Sequence, residues 1–161
     1  MQLDRSRFVA TVDLQAVRAA LSEWSWLLRR EDAWEPVLVS VSGDVFMAHD
    51  SGEVFWLDTG AGKVSRICAS VAEFEASLED RKTASDWLLV PVVEELLSSG
   101  RSLAPGQCFG FTILPVFKEG SYAARNRFAL SALEHVRVTG DLHNQIQGLE
   151  DGQQVRLSVV E

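Results

Sequence analysis

The chain has 161 residues, 47% hydrophobic and 24% charged, with a formal net charge of −8. That length and apolar content suit a single domain over residues 1–161 with a sizeable core, and they exclude a disordered chain. Two cysteines make no disulfide framework, no stretch nears the roughly 20 apolar residues of a membrane span, and the N-terminus, with Asp4 and no apolar run, does not read as a secretory signal. The expectation is a cytoplasmic protein that does not engage membranes.

The charge is unevenly placed. Residues 1–30 carry +2, residues 31–80 carry −9 with only Lys63 and Arg66 as bases, and residues 81–161 carry −1. Such an acidic chain repels phosphate backbones, so nucleic acid is excluded as a partner and a basic protein surface is favoured. The plainer alternative is that the acids only keep the protein soluble.

In chain order, apolar residues at Val17, Ala20, Leu21, Trp24, Leu27 and Leu28 recur at helical spacing, predicting a helix over 12–28 with Thr11 or Asp13 as its cap. Trp24 and Trp26 cannot share one face of that helix, so it either breaks near Ser22 or buries two surfaces. Residues 37–41, 45–49, 54–58 and 64–68 are short β-branched and aromatic runs separated by Gly-containing turns, the pattern of an antiparallel meander. Ser70 and Glu73 form a capping box that opens a helix. A second helical run, 85–99, contains Pro91, which implies a kink or restart, and Gly100 stops it. Trp87 falls in its first turn. A strand is expected over 108–114, an irregular loop over 115–126, a strand for part of 128–138, a short helix over 140–149 carrying His143, and a closing strand over 155–160. The fold class is therefore α+β, with helices flanking the meander.

No phosphate loop, dinucleotide fingerprint, nucleophile elbow or zincin helix is present. Cys68 and Cys108 belong to no metal-binding pair. His135 and His143 are eight residues apart, and Glu119 or Glu134 could supply a third ligand, but no recognisable spacing assembles a site. No metal or cofactor is therefore expected. His135 is read as lying in or beside a strand, and His143 as packing a short helix. Asp44, Asp50 and Asp58 sit at strand ends and turns, where aspartate commonly hydrogen-bonds the backbone.

The motifs Gly43-Asp44-Val45-Phe46, Gly52-Glu53-Val54-Phe55-Trp56-Leu57-Asp58-Thr59 and Gly60-Ala61-Gly62 are followed by Glu73-Phe74 and Trp87-Leu88-Leu89. Pro105-Gly106-Gln107-Cys108-Phe109-Gly110-Phe111 and Gly140-Asp141-Leu142-His143-Asn144-Gln145-Ile146 come next. Over residues 22–157 this series resembles the type VI secretion immunity family defined by the C-terminal domain of a DNase-effector immunity protein. The resemblance implies a SUKH-like fold, a bent antiparallel sheet packed by helices. It also implies a non-catalytic role, binding a toxin.

Under that reading the partner surface lies on the acidic segment, with Asp44 and Asp50 foremost because turns project into solvent, then Glu53, Asp58 and the aromatic Trp34. The competing readings are a small-molecule site or enzyme whose cleft gathers His135, His143, Asp58 and Glu119, and a housekeeping homodimeric scaffold.

Overall fold

A computed structural model describes residues 3–155. The first helix, α1 (Leu14–Ala20), starts at Asp13, whose carboxylate accepts from the Gln15 N–H at 3.0 Å. It tightens into a 3₁₀ turn at Leu21–Trp24 rather than running to residue 28. The helical winding ends at Trp24 and Trp26 lies in the turn that follows, so the two need not share a helix face and the tryptophan conflict is resolved. Both indoles face the same later helix, their rings stacked 5.7 Å apart.

The meander forms as its turns predict. Strands β1 (Trp34–Val39), β2 (Val45–His49), β3 (Val54–Asp58) and β4 (Lys63–Cys68) are antiparallel in the order β1-β2-β3-β4. β1 begins three residues earlier than expected, with a register irregularity between Pro36 and Leu38 that accommodates the missing proline N–H.

The helical layer follows. α2 (Val71–Ser77) carries the capping box, with Ser70 Oγ accepting from the Glu73 N–H at 3.1 Å. The run expected as one kinked helix over 85–99 is two helices, α3 (Arg81–Trp87) and α4 (Val90–Ser98). Between them Leu89 takes a left-handed conformation at φ 50°, and Pro91 occupies the first turn of α4, where its missing N–H costs nothing. Trp87 thus ends one helix instead of opening another, and stacks on Phe74 at 5.7 Å.

Strands β5 (Gln107–Phe111) and β6 (Arg127–Ser131) form a separate antiparallel pair. It is tied to the meander where the Phe109 N–H donates to Val41 O at 2.7 Å. The segment 128–138, read as strand in part, is strand to Ser131 and helix from Ala132. That last helix, α5 (Ala132–Ile146), absorbs the short helix expected at 140–149. Gly140 is therefore a helix-interior residue, not a helix start. Its missing side chain makes room for Trp24, since a Cβ there would lie 2.8 Å from the indole Nε1. The indole N–H groups of Trp24 and Trp26 donate to Val136 O at 2.8 Å and Gly140 O at 3.1 Å. The core, including Trp24, Phe46, Leu57, Phe74, Leu88 and Val136, lies between the meander and the helices. Residues 156–160 of the expected closing strand lie outside the described residues. Among the described residues, no helix is long and apolar enough to cross a membrane.

Candidate functional site

The sequence motifs converge on one buried polar network. The β1–β2 turn brings Asp44 under the β3–β4 turn, where its carboxylate accepts from Trp56 Nε1 at 2.9 Å and from the Thr59 N–H at 3.1 Å. The Thr59 hydroxyl donates to Gly43 O at 3.0 Å and lies 2.9 Å from His135 Nε2, which in that arrangement is the donor to it. His143 Nε2 donates to Thr59 O at 2.8 Å. One residue therefore joins a β-turn to both histidines, which stand two turns apart on α5.

Glycines shape the seats of the two rings. Gly43, at φ +99°, leaves space that a Cβ would fill 2.5 Å from His135 Nε2; Gly62, at φ +68°, does the same 2.6 Å from His143 Nδ1. On the far side of Asp44, the Arg127 guanidinium is buried. It donates to Ser42 O at 3.0 Å and Phe109 O at 3.3 Å, with its plane over the Phe111 ring at 4.0 Å. Tyr122 lies beside it and donates to the Asp58 carboxylate at 3.0 Å, while Asp58 also caps the turn by accepting from the Gly60 and Ala61 N–H groups.

Burial sets the electrostatics. Loss of solvent, with Asp58 nearby, raises Asp44 to about 7. Burial and then the Arg127 charge draw His135 down to about 4, and burial lowers His143 as well. Arg127 itself falls to about 10 and the Cys108 thiol rises to about 12, both chiefly through desolvation. Burial and the neighbouring Asp58 raise Tyr122. At neutral pH both imidazoles are uncharged, and within the network the Arg127 Nη2 is buried with no hydrogen-bond partner.

These positions revise the sequence expectations. Asp44 is 3% exposed and does not project from its turn, because Trp56 and Thr59 close over the carboxylate. His135 lies on α5 rather than in a strand. Glu119 is exposed on the loop after β5, whereas the two histidines are buried. Asp50 is exposed, Glu53 is partly covered by its ion pair with Arg66, and Trp34 packs edge-on against His49 at 4.7 Å and Phe55 at 5.2 Å. Asp58 is half-buried under Tyr122 at the opposite end of β3 from Glu53.

The fold also gathers a set not picked out in the sequence. Asp32 and Asp50 flank the His49 ring, at 3.2 Å from Nε2 and 2.8 Å from Nδ1, and one donor atom from each of the three residues lies within 4.8 Å of the others. Among the described residues these three, and not His135 and His143, form the group that could hold a cation. No local signal marks Asp32, which lies 17 residues from His49 and meets it only through β1–β2 pairing.

A second feature is apolar. Between the β5–β6 pair, the loop that follows β5 and α5 lies a cavity of about 160 Å³ lined by Phe111, Leu114, Phe128, His135, Val138 and Leu142 among others. Its residues were read separately as strand, loop and helix, so nothing in the sequence joined them.

No curated protein matches the chain. The sequence resemblance drawn over residues 22–157 finds its counterpart in a shorter stretch that starts at the end of β4 and leaves out the Gly43 and Thr59 turns. Residues 68–143 match the model of the family described as T6SS immunity protein Tdi1, C-terminal, so from the end of β4 through most of α5 the chain is similar to a type VI secretion immunity protein domain.

Proposed function

We propose that this chain is a non-catalytic immunity protein that binds and neutralises a cognate toxin with a basic, nuclease-like surface. The observation that carries this reading is the match of residues 68–143 to an immunity-protein family. The net charge of −8 supports a basic partner. The buried network supports a structural use of its titratable groups, since Asp44, Thr59 and His135 are each at most 3% exposed and bonded to one another.

We read the meander with its flanking helices as a SUKH-like single domain, which the continuous hydrophobic cluster from Phe8 to Val136 supports. We place it in the cytoplasm, which its free, buried Cys68 and Cys108 suit. Asp50 and Glu53, with Asp58 and Trp34 at the edges, form the acidic face that steers encounter with the toxin. Asp44 drops out of that face.

The test is co-expression in a bacterial host of each toxin domain encoded beside this gene, with and without the chain. Restored growth together with a stable complex on size-exclusion chromatography is expected. Unrelieved toxicity and no complex with any neighbouring toxin would reject the reading; a chain that only self-associates would point to the homodimeric scaffold.

A further inference from the structure

The apolar cavity beside α5 has an open mouth, and its rim is unusually apolar for a soluble surface. Ile113, Phe128 and Val138 on that rim are 39%, 42% and 47% exposed. Val116, at 46%, continues the apolar surface along the loop after β5. Single exposed hydrophobes are ordinary, but a group of them around a cavity marks a binding surface.

The charges beside the mouth say what kind of partner fits. On α5, Glu134 and Asp141 stand one turn before and one turn after Val138, on the solvent flank of the groove. Both are exposed, and neither is in an ion pair among the described residues. Arg137 stands between the two acids, three residues after Glu134 and four before Asp141, further round the helix from the groove lining, and leaves the flank with a net negative charge. Inside, the lining is apolar except for His135, Thr112 and Thr139. His135 is neutral and tied to Thr59, and the Thr139 hydroxyl donates to His135 O at 2.6 Å. The interior therefore favours an uncharged occupant, and the acidic flank favours cationic neighbours to it.

We propose that this cavity is the docking site for a basic protein surface that inserts one aromatic side chain between Phe128 and Val138, its adjacent lysines or arginines meeting Glu134 and Asp141. The proposal rests on the immunity reading and moves the centre of contact from the acidic meander to α5. The cavity lies wholly within residues 111–142, inside the segment that matches the immunity family, whereas Asp50, Glu53 and Trp34 lie outside it. A buried aromatic anchor surrounded by a polar rim is the usual energetic centre of a protein interface.

Two experiments test it. The full chain, methyl-labelled at valine and leucine, is titrated by NMR with the peptides Lys-Lys-Trp-Lys-Lys and Glu-Glu-Trp-Glu-Glu. Saturable shifts at Val138, Leu142 and Leu130 are expected with the basic peptide, and binding at least about 10-fold weaker with the acidic one. No saturable shift at about 10 mM peptide, a single anchor giving only millimolar affinity, equal affinity for both peptides, or shifts confined to another surface would each overturn it.

In the second experiment, Phe128→Asp and Val138→Asp are compared with the wild-type chain for binding to whichever toxin the wild type neutralises, after circular dichroism confirms that both variants fold. A loss of about 30-fold or more in Kd is expected for each. Undiminished binding by both variants overturns the docking proposal and leaves the immunity reading standing. Failure of the wild type to bind any toxin rejects the immunity reading instead, and the peptide titration then decides the cavity by itself.

Discussion

Gly43 and His135, 92 positions apart in sequence, are in contact so close that a Cβ on the glycine would lie 2.5 Å from the imidazole Nε2. The turn holding Gly43 also needs φ +99°, a conformation costly for any other residue. The glycine therefore answers two demands together, one from its own backbone and one from α5.

Gly43→Ala should cost about 2–5 kcal/mol, combining backbone strain with overpacking against the ring. Gly52→Ala is the control, because Gly52 has φ +91° but nothing within 4 Å of where its Cβ would be. It should show strain alone, about 1–2 kcal/mol. Urea unfolding of both variants checks this. Equal losses would show that the histidine contact carries no energy of its own.

The pH dependence of stability divides between Asp44 and His135 with opposite signs. Asp44 has its folded pKa raised from 3.8 to about 7, so its contribution is fullest below 3.8 and is lost as pH rises to about 7. His135 has its folded pKa lowered from 6.5 to about 4, so its contribution is full above 6.5 and is lost as pH falls toward 4. His143 adds to the histidine side. Between pH 4 and 6.5 Asp44 and His135 therefore offset one another in the wild type, and His143 leaves a modest net rise of stability with pH. Asp44→Asn should make stability rise with pH over that window, and His135→Gln should make it fall, or rise less than in wild type, each by up to about 1.4 kcal/mol per pH unit. Thermal unfolding at closely spaced pH values measures both slopes, and parallel profiles for the two variants would refute the assignment.

Arg127 is a buried cation held by carbonyls rather than by a direct ion pair. Arg127→Lys keeps the charge but cannot reproduce the planar contact with Phe111, or donate at once from two nitrogens as Arg127 does, Nη1 to Ser42 O and Phe109 O and Nε to Tyr122 O. A loss of about 2–4 kcal/mol is expected in chemical denaturation. A loss below about 0.5 kcal/mol, the range of ordinary surface changes, would mean that charge alone matters there.

Asp50→Asn and Glu53→Gln change one exposed and one partly covered surface group on the proposed acidic face and should leave the unfolding midpoint nearly unchanged. With a toxin in hand, each should slow association at low salt while leaving dissociation alone, as stopped-flow mixing would show. Association rates indifferent to both changes and to salt would remove the acidic face from the encounter step.

The meander was legible in the sequence because its information is local. Gly43, Gly52 and Gly62 mark turns between short β-branched runs, and the strands β2 and β3 form over the predicted residues. The capping box at Ser70 and the stop at Gly100 are local in the same sense. Asp44 was misplaced because aspartate in a Gly-Asp turn carries the same local signal whether it faces water or Trp56 and Thr59. Its burial depends on residues 12 and 15 positions away. Gly140 read as a helix boundary because nothing nearby announces that Trp24, 116 positions earlier, packs against it. Net charge and motif order, properties of the chain alone, pointed to a protein-binding role. The seating of both histidines around Thr59, the Asp32–His49–Asp50 group and the cavity behind Phe128 were decided only when distant segments met, since side-chain environment is set by tertiary packing and not by neighbours along the chain.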